Sequence, residues 1–367
     1  MRLDELGVAD RAHFQQGPPL ELFRRLRAEC PVHWSSGIAE FPEEDGFWSV
    51  TTAEDVFEVS RDWQTYSSEI GGFTASNAGL SLEMQQAMFI GMDPPKHDRL
   101  KALFQRGFTP KRIAEHEDAI RAITIEVLKR LEGPPARETC DLVSDVAQPV
   151  VARVIGSFMG LSPEDDQAWA NLMNAIVGAG DPDATPEGAQ SVMEREVPEV
   201  FARCGKLIAE RRATPTDDLT SVLVHAELDG ERLEDPSLVP AAVEESLRMF
   251  PAFAHFARTA TRDTELHGQR IREGEKLVMW YPSSNRDETR FEDPDRFDLT
   301  REAEHQAFGA GGRHFCLGTA LARLELRILI EETLKRYPEI QIAGECTHVE
   351  SAFANQHKTL PVRLRQL

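Results

Sequence analysis

The sequence predicts a mainly helical protein that also contains small β-sheets. From 110 to 212 the apolar residues recur at helical spacing, and signals for strands are few. Strand patterns occupy 47–51 and the segment from 256 to 281, where turns separate them. The 41% hydrophobic and 28% charged residues are typical of a globular protein, so we expect a packed core rather than disorder.

The charge and the cysteines limit the possible partners and the compartment. The net charge is −21, from 62 acidic and 41 basic residues, which argues against nucleic acid and an anionic membrane surface as partners. Five cysteines without regular spacing favour a reducing compartment over a disulfide framework. The first 30 residues have no signal-peptide pattern, and no stretch reaches the ~18 apolar residues of a membrane span. We therefore expect a cytoplasmic protein without a membrane anchor.

The N-terminal part predicts a small β-rich subdomain. Two prolines precede a helical pattern at 20–26, and Gly46 precedes the strand pattern at 47–51. A capped helix is predicted for 52–59, directly after that strand. The chain after this subdomain contains no internal repeat or low-complexity tract.

The segment 91–101 predicts a turn forced by two prolines, followed by the start of a helix. His97 and Lys101 are four residues apart, which places them on the same face of that helix. Taken alone, this segment also fits a solvated surface turn that carries charged side chains.

A glycine-rich loop at 308–318 leads through Cys316 into a predicted helix. A thiol at the start of a helix lies near unpaired backbone N–H groups, which favour its thiolate. The other cysteines are scattered singly, so the paired spacings of a zinc site are absent from the sequence. A lone thiolate in an open loop indicates a haem iron ligand, and a buried structural cysteine is the alternative.

The helix after Cys316 is predicted to begin at residue 317. Its apolar residues recur every three or four positions and define one buried face, so its charged residues are expected to point elsewhere. The apolar set is Leu317, Leu321, Leu324 and Ile328, and the charged set is Arg323, Glu325 and Arg327.

The cysteine loop resembles the haem-binding loop of the cytochrome P450 family. That loop has the order Phe, two residues, Gly, one residue, Arg or His, one residue, Cys, one residue, Gly. Gly312, His314, Cys316 and Gly318 match this order, whereas Phe308 lies one residue too far from the cysteine. The longer loop resembles that of some bacterial members that act on lipids. The resemblance implies haem b as cofactor, with Cys316 as the iron ligand and Gly318 in the binding loop.

Other residues match the family in the order that the family has them. His97 and Lys101 correspond to a histidine and an arginine that bind haem propionates; lysine keeps the charge and lacks the fork geometry. Arg258 and His314 match two further propionate ligands. By resemblance, Glu245, Arg248 and Arg296 form a buried network on the proximal side of the haem; an ordinary surface salt bridge is the alternative for the first two.

The family's long central helix has no counterpart in this sequence. In the family it carries an Ala/Gly-Gly-x-Asp/Glu-Thr pattern, whereas here Leu233 and Glu234 run directly into Asp235 and Pro236. About 30 residues, roughly 45 Å of helix, are missing relative to the family. The acid–alcohol pair that delivers protons during oxygen activation is therefore not found. The expected fold is a single P450-like haem-thiolate domain, 1–367, without this helix.

The resemblance implies a monooxygenase that hydroxylates an apolar, lipid-like small molecule with O2. Electrons would come from a ferredoxin and its ferredoxin reductase; Arg313, Arg323 and Arg327 could meet such an acidic partner, or could be scattered surface charges. The missing helix motivates two alternatives. One is a haem-binding protein or peroxide-using enzyme without ordinary O2 activation, and the other is a misassembled chain that holds no haem.

Overall fold

A computed structural model describes most of the chain, namely residues 7–78, 80–105, 108–132, 139–177, 195, 197–213, 239–298, 301, 304–337 and 339–365. The chain divides into two compact units. Unit 1 comprises Met1–Lys101, Glu244–Cys316 and Val349–Gln356, and unit 2 comprises Ala102–Val243, Leu317–His348 and His357–Leu367. The predicted junction at Leu233 to Asp235 lies outside the described residues, as does most of the segment from 178 to 196.

The described helices and strands confirm a mainly helical chain with small sheets. The helices are α1 (Leu20–Glu29), α2 (Ala53–Arg61), α3 (Leu82–Ala87), α4 (Lys96–Gln105), α5 (Pro110–Ala114), α6 (Glu117–Lys129), α7 (Gln148–Met159), α8 (Asp166–Val177), α9 (Val197–Ala213), α10 (Val239–Met249), α11 (Tyr281–Ser284) and α12 (Thr319–Arg336). The strands are β1 (Val32–Ser35), β2 (Phe47–Val50), β3 (Tyr66–Ser67), β4 (Thr139–Asp141), β5 (His255–Ala260), β6 (Thr264–Leu266), β7 (Gln269–Ile271), β8 (Lys276–Trp280), β9 (Glu339–Ile342), β10 (Thr347–His348), β11 (His357–Thr359) and β12 (Pro361–Arg365).

Unit 1 is built on a five-stranded sheet with the order β1-β2-β8-β5-β3. Strands β2 and β8 pair in parallel, and the other neighbours are antiparallel. Strand β8 is buried along almost its whole length because both faces of the sheet are covered, which matches its continuous apolar sequence. On one face, Phe23 of α1 packs against Trp280 at a ring-centroid distance of 5.3 Å. The predicted N-terminal strand and capped helix are confirmed as β2 and α2, with the Thr52 hydroxyl accepting from the Asp55 N–H.

Unit 2 is mainly helical, with α5, α6, α7 and α12 around one apolar core. Leu321, Leu324 and Ile328 are buried, which confirms the predicted apolar face of α12. The helix begins at Thr319, two residues later than predicted, because a turn at residues 317 and 318 precedes it. The prediction for Glu325 is wrong: its Oε1 atom is buried without a hydrogen-bond partner among the described residues. Burial raises the pKa of this carboxyl to about 8.

A helical segment of unit 2, Leu142–Met159, has the length and mean hydropathy, 1.2, of a membrane span. Its apolar residues include Val150, Val154 and Phe158, which pack into the core that also contains Ile328. Packing of this kind is typical of the core helix of a globular protein, and such helices reach the same length and hydropathy as a membrane span.

Candidate functional site

The cysteine loop of unit 1 depends on its glycines. Gly309, Gly311 and Gly312 have φ angles of 91°, 83° and 78°, which residues with a Cβ atom rarely adopt. A Cβ atom on Gly312 would also lie 2.8 Å from the backbone oxygen of Ser60 in α2. The Cys316 N–H donates to the backbone oxygen of Phe308 over 3.0 Å, so the lengthened loop is closed by its own backbone. Cys316 itself is exposed.

The first turn of α4 packs against the cysteine loop. The imidazole rings of His97 and His314 lie 4.2 Å apart between centroids. The Asp98 carboxylate lies 3.1 Å from Nδ1 of His97 and also accepts a hydrogen bond from the Arg313 guanidinium. Lys101 Nζ donates to the backbone oxygens of Arg313 and Phe315, the second over 2.9 Å. The prediction that His97 and Lys101 share one face of α4 is therefore confirmed, and this face contacts the cysteine loop.

Ser68 contacts His314, although no sequence motif indicated it. Its hydroxyl lies 3.2 Å from Nε2 of His314. The Ser68 backbone N–H donates to the Asp93 carboxylate over 2.9 Å, and this bond holds the backbone from which the hydroxyl extends. If the hydroxyl donates to Nε2, the His314 proton resides on Nδ1 and is available to a further acceptor.

Arg258 is a buried cation in the middle of β5. Its side chain is 3% exposed, and its guanidinium donates to the backbone oxygen of Ala257 over 2.7 Å. Among the described residues, no carboxylate forms an ion pair with it. Burial lowers the pKa of Arg258, and the nearby Tyr281 and Asp93 act in the opposite direction. A buried guanidinium without a carboxylate is costly, and an anionic ligand would remove much of that cost.

Two buried nitrogen atoms, Nε2 of His97 and Nδ1 of His314, have no hydrogen-bond partner among the residues that the structure describes. Burial, aided by the charges of Arg258 and Lys101, lowers the pKa of His314 far below its usual value. Burial also lowers the pKa of His97, against the opposing effect of the Asp98 carboxylate. A carboxylate beside these rings would accept from Nδ1–H of His314 and would favour the imidazolium form of His97.

The predicted proximal network exists, with a different third member. Arg248 donates to both carboxylate oxygens of Glu245 over 2.7 Å, and both side chains are fully buried. Arg296 joins this network only through its backbone oxygen, which accepts from Arg248 over 3.4 Å; a buried role for its side chain is wrong, because that side chain is 66% exposed and pairs with Asp298. Arg301 takes that place, with its Nε atom 3.4 Å from Glu245 Oε1 and a side chain 12% exposed.

The environment of Glu245 keeps it charged. Burial alone would raise its pKa, but hydrogen bonds from Arg248 and from the Asp298 N–H bring the pKa below its usual value. Arg248 also donates to the backbone oxygens of Asn285 and Pro294, each over 2.8 Å. This network therefore ties α10 to the segment that leads into the cysteine loop, and its role is structural.

Comparisons with known proteins place the chain in a family. The family model for cytochrome P450 matches residues 219–347. The methyl-branched lipid omega-hydroxylase of Mycobacterium tuberculosis is 32% identical over 386 residues, covering 93% of this chain and 90% of that protein. The linalool 8-monooxygenase of Pseudomonas putida is 31% identical, covering 96% of this chain and 97% of that protein.

A solved structure agrees with these relatives. The cytochrome P450 of Mycobacterium marinum in complex with pseudoionone has a TM-score of 0.88 and 31% identity, covering 98% of this chain and 99% of that one. The chain belongs to the cytochrome P450 family. It has the P450 fold and is a cytochrome P450 monooxygenase, which implies a haem cofactor.

The alignment with the Mycobacterium tuberculosis hydroxylase extends over 386 residues, whereas this chain has 367. Some positions of the relative therefore have no counterpart in this chain.

The residues of the site fit a haem. The Arg258 guanidinium has no carboxylate partner in the described part of the chain, and it is suited to an anionic carboxylate, as are the buried nitrogen atoms Nε2 of His97 and Nδ1 of His314; all three residues lie in unit 1 with Cys316. Lys101 is committed to backbone oxygens of the cysteine loop. Gly318 directly precedes α12 with a φ of −76°, which any residue can adopt, so its contact with the cofactor stays a prediction.

Proposed function

We propose that this chain binds haem b with the Cys316 thiolate as iron ligand and inserts one atom of O2 into an apolar, lipid-like substrate. One observation carries the proposal: the buried Arg258 guanidinium has no described carboxylate partner, and at the cysteine loop the rings of His97 and His314 lie 4.2 Å apart, each with one buried nitrogen that has no hydrogen-bond partner among the described residues. Haem carries two propionates that such groups would hold. No other described cluster combines these features with an exposed thiol.

The residues of the chain have separate tasks in this proposal. Haem, when bound, supplies the chemistry that activates O2. Arg258 and His314 hold the propionates, and Ser68 orients His314 through the contact with its Nε2 atom. The glycines of the cysteine loop allow its tight backbone conformation. The hydrogen bond from the Cys316 N–H to the Phe308 oxygen holds the backbone of Cys316 and thereby positions its thiolate.

The substrate class is proposed from the relatives. The Mycobacterium tuberculosis relative is a methyl-branched lipid hydroxylase, the Pseudomonas putida relative oxidises linalool, and the Mycobacterium marinum structure contains pseudoionone. These ligands are apolar and poor in charge, so we propose a lipophilic small molecule and hydroxylation as the reaction. A panel of branched fatty acids, acyclic terpenoids and sterols tests this by product analysis, and turnover of charged or sugar substrates alone would contradict it.

Electrons are proposed to come from a ferredoxin and a ferredoxin reductase, in the cytoplasm. The predicted basic residues support this only weakly, because Arg313 pairs with Asp98 and Arg327 pairs with Glu117 and Glu331. Each pair reduces the charge that an acidic partner would meet. Reconstitution with a bacterial ferredoxin and its reductase tests this step; product formation that proceeds equally well without the ferredoxin would contradict it.

A second function, peroxide-dependent oxidation, is favoured by one specific observation: the sequence contains no acid–alcohol pattern of the family's central helix. Those residues normally guide protons during O2 activation, and peroxide already contains the reduced oxygen. The two functions separate in one assay, in which the purified haem protein receives either hydrogen peroxide or O2 with the reductase system. Product with peroxide alone favours the second function, and strict dependence on the reductase eliminates it.

A further inference from the structure

We propose that Lys101 is a positioning residue that holds the cysteine loop directly, instead of binding a haem propionate. The inference rests on the proposed haem ligation by Cys316. It departs from what the resemblance implies for this position, where the family has an arginine that binds a propionate.

The geometry of Lys101 supports this role. Its ammonium group donates to the backbone oxygens of Arg313 and Phe315, which flank His314. The Phe315 oxygen belongs to the peptide bond that joins Phe315 to Cys316. An ammonium group has three donors and no acceptor, so two are used within the loop itself. Lysine suits this site because it is a compact charge with rotatable donors, whereas the planar fork of arginine matches a carboxylate better.

Asp98 completes the attachment between α4 and the loop. Its carboxylate accepts from the Arg313 side chain, while Lys101 binds the backbone oxygen of the same residue. Arg313 is therefore held at both its side chain and its backbone by residues one turn apart on α4. This arrangement fixes the backbone immediately before Cys316.

Lys101 also affects the thiolate through its charge. Its ammonium group binds the Phe315 oxygen over 2.9 Å, and that oxygen belongs to the residue directly before Cys316, so the charge lies close to the cysteine. A positive charge near a thiolate stabilises it and reduces the electron density that it can donate. Removing the charge should therefore lower the reduction potential of a haem bound to Cys316.

The first experiment measures the cysteine loop itself, and its deciding measurement is made before haem is added. Hydrogen exchange is measured on the full chain before and after haem is added, for the wild type, Lys101→Met and Lys96→Met. Lys96 is an exposed lysine of the same helix that makes no hydrogen bond to a described residue of the loop, so it controls for the loss of one charge. We expect exchange of the Cys316 amide to become about tenfold faster in Lys101→Met, because charge-assisted hydrogen bonds are lost, and to stay unchanged in Lys96→Met. Equal exchange in all three proteins before haem is added would overturn the proposal.

The second experiment separates the loop from the propionates. Wild type, Lys101→Met and Lys101→Arg are reconstituted with haem and with its dimethyl ester, which has no propionate charge. The fraction of thiolate-ligated ferrous–carbonyl complex is then measured from its long-wavelength Soret band. We expect Lys101→Met to lower this fraction with both haems, and Lys101→Arg to restore most of it. An effect of Lys101→Met that disappears with the ester would mean that Lys101 acts on the propionates, and the inference would be wrong.

Failure of the proposed function has a different signature. If the wild type lacks the long-wavelength band with both haems, Cys316 does not ligate the iron. Exchange at the Cys316 amide before haem addition still decides whether Lys101 holds the loop.

Discussion

Replacement of Arg258 by methionine is expected to stabilise the chain without haem and to weaken haem binding. In the structure the guanidinium is 3% exposed and forms no ion pair with a described carboxylate. A buried charge without a partner opposes folding, so its removal is expected to raise the free energy of unfolding. The same charge is expected to help hold a propionate, so the two effects have opposite signs.

The magnitudes follow from the environment of the side chain. Replacement of buried ionic groups by apolar side chains of similar volume stabilises a protein by about 1–4 kcal/mol. Loss of one hydrogen bond to a charged ligand costs about 1.5–3 kcal/mol, which corresponds to roughly tenfold to hundredfold weaker haem binding. The guanidinium also donates to the Ala257 oxygen, so the gain in the free energy of unfolding is expected near the lower end of its range.

Arg248→Met is the matched control because Arg248 is equally buried but donates to Glu245. Its removal takes away the two shortest hydrogen bonds of the buried Glu245 carboxylate and leaves it only Arg301 and the Asp298 N–H, which is expected to lower the free energy of unfolding by about 3 kcal/mol. Denaturant unfolding of the haem-free proteins and haem titration measure the two quantities. The reasoning about Arg258 is refuted if Arg258→Met lowers the free energy of unfolding as much as Arg248→Met, or if haem binding is unaffected.

Five further substitutions, at three places in the fold, lead to predictions of stability. His255 accepts from the Ala75 N–H at Nε2 and contacts the Ala352 oxygen at Nδ1, so it is held neutral, and burial lowers its pKa to about 4 from 6.5. As pH falls below 6.5, the unfolded chain therefore binds a proton at His255 that the folded chain excludes. The free energy of unfolding should fall by about 3 kcal/mol by pH 4 for this reason. In urea titrations, His255→Gln should reduce this dependence of the free energy of unfolding on pH. Gly312→Ala should lower the free energy of unfolding by at least about 2 kcal/mol in thermal unfolding, because the new Cβ atom combines a φ of 78° with a close contact to Ser60. Gly309→Ala should lower it by only about 1–2 kcal/mol, because the nearest atom to its Cβ would be 3.9 Å away. Arg301→Met should destabilise the chain by about 1–3 kcal/mol while Arg296→Met stays within about 0.5 kcal/mol, and the reverse order in denaturant titrations would contradict the assignment of the network.

Local patterns in the sequence were sufficient for the parts of the fold that depend on neighbouring residues. The apolar spacing of Leu321, Leu324 and Ile328 predicted one buried face of α12, and Gly46 with the following strand pattern predicted β2. The four-residue spacing of His97 and Lys101 predicted a shared face. Such patterns arise from the periods of helix and strand, so one sequence is enough to find them.

The remaining features depend on contacts between distant segments. Arg301 was missed because Arg296 occupies the expected place in the motif, and only the folded chain shows which guanidinium reaches Glu245. Ser68 belongs to no motif, and it contacts His314 across 246 positions of sequence. The burial of Glu325 was unexpected because charged residues are usually exposed, and the sequence does not reveal what covers a particular side chain.

The ferrous–carbonyl spectrum of the chain reconstituted with haem tests the central claim most directly. If the Cys316 thiolate ligates the iron, the wild type gives the long-wavelength Soret band, and Cys316→His binds haem but gives the shorter-wavelength band of imidazole ligation. A wild type that gives only the shorter-wavelength band, or a Cys316→His variant that keeps the long-wavelength band, would contradict the assignment of Cys316 as the iron ligand.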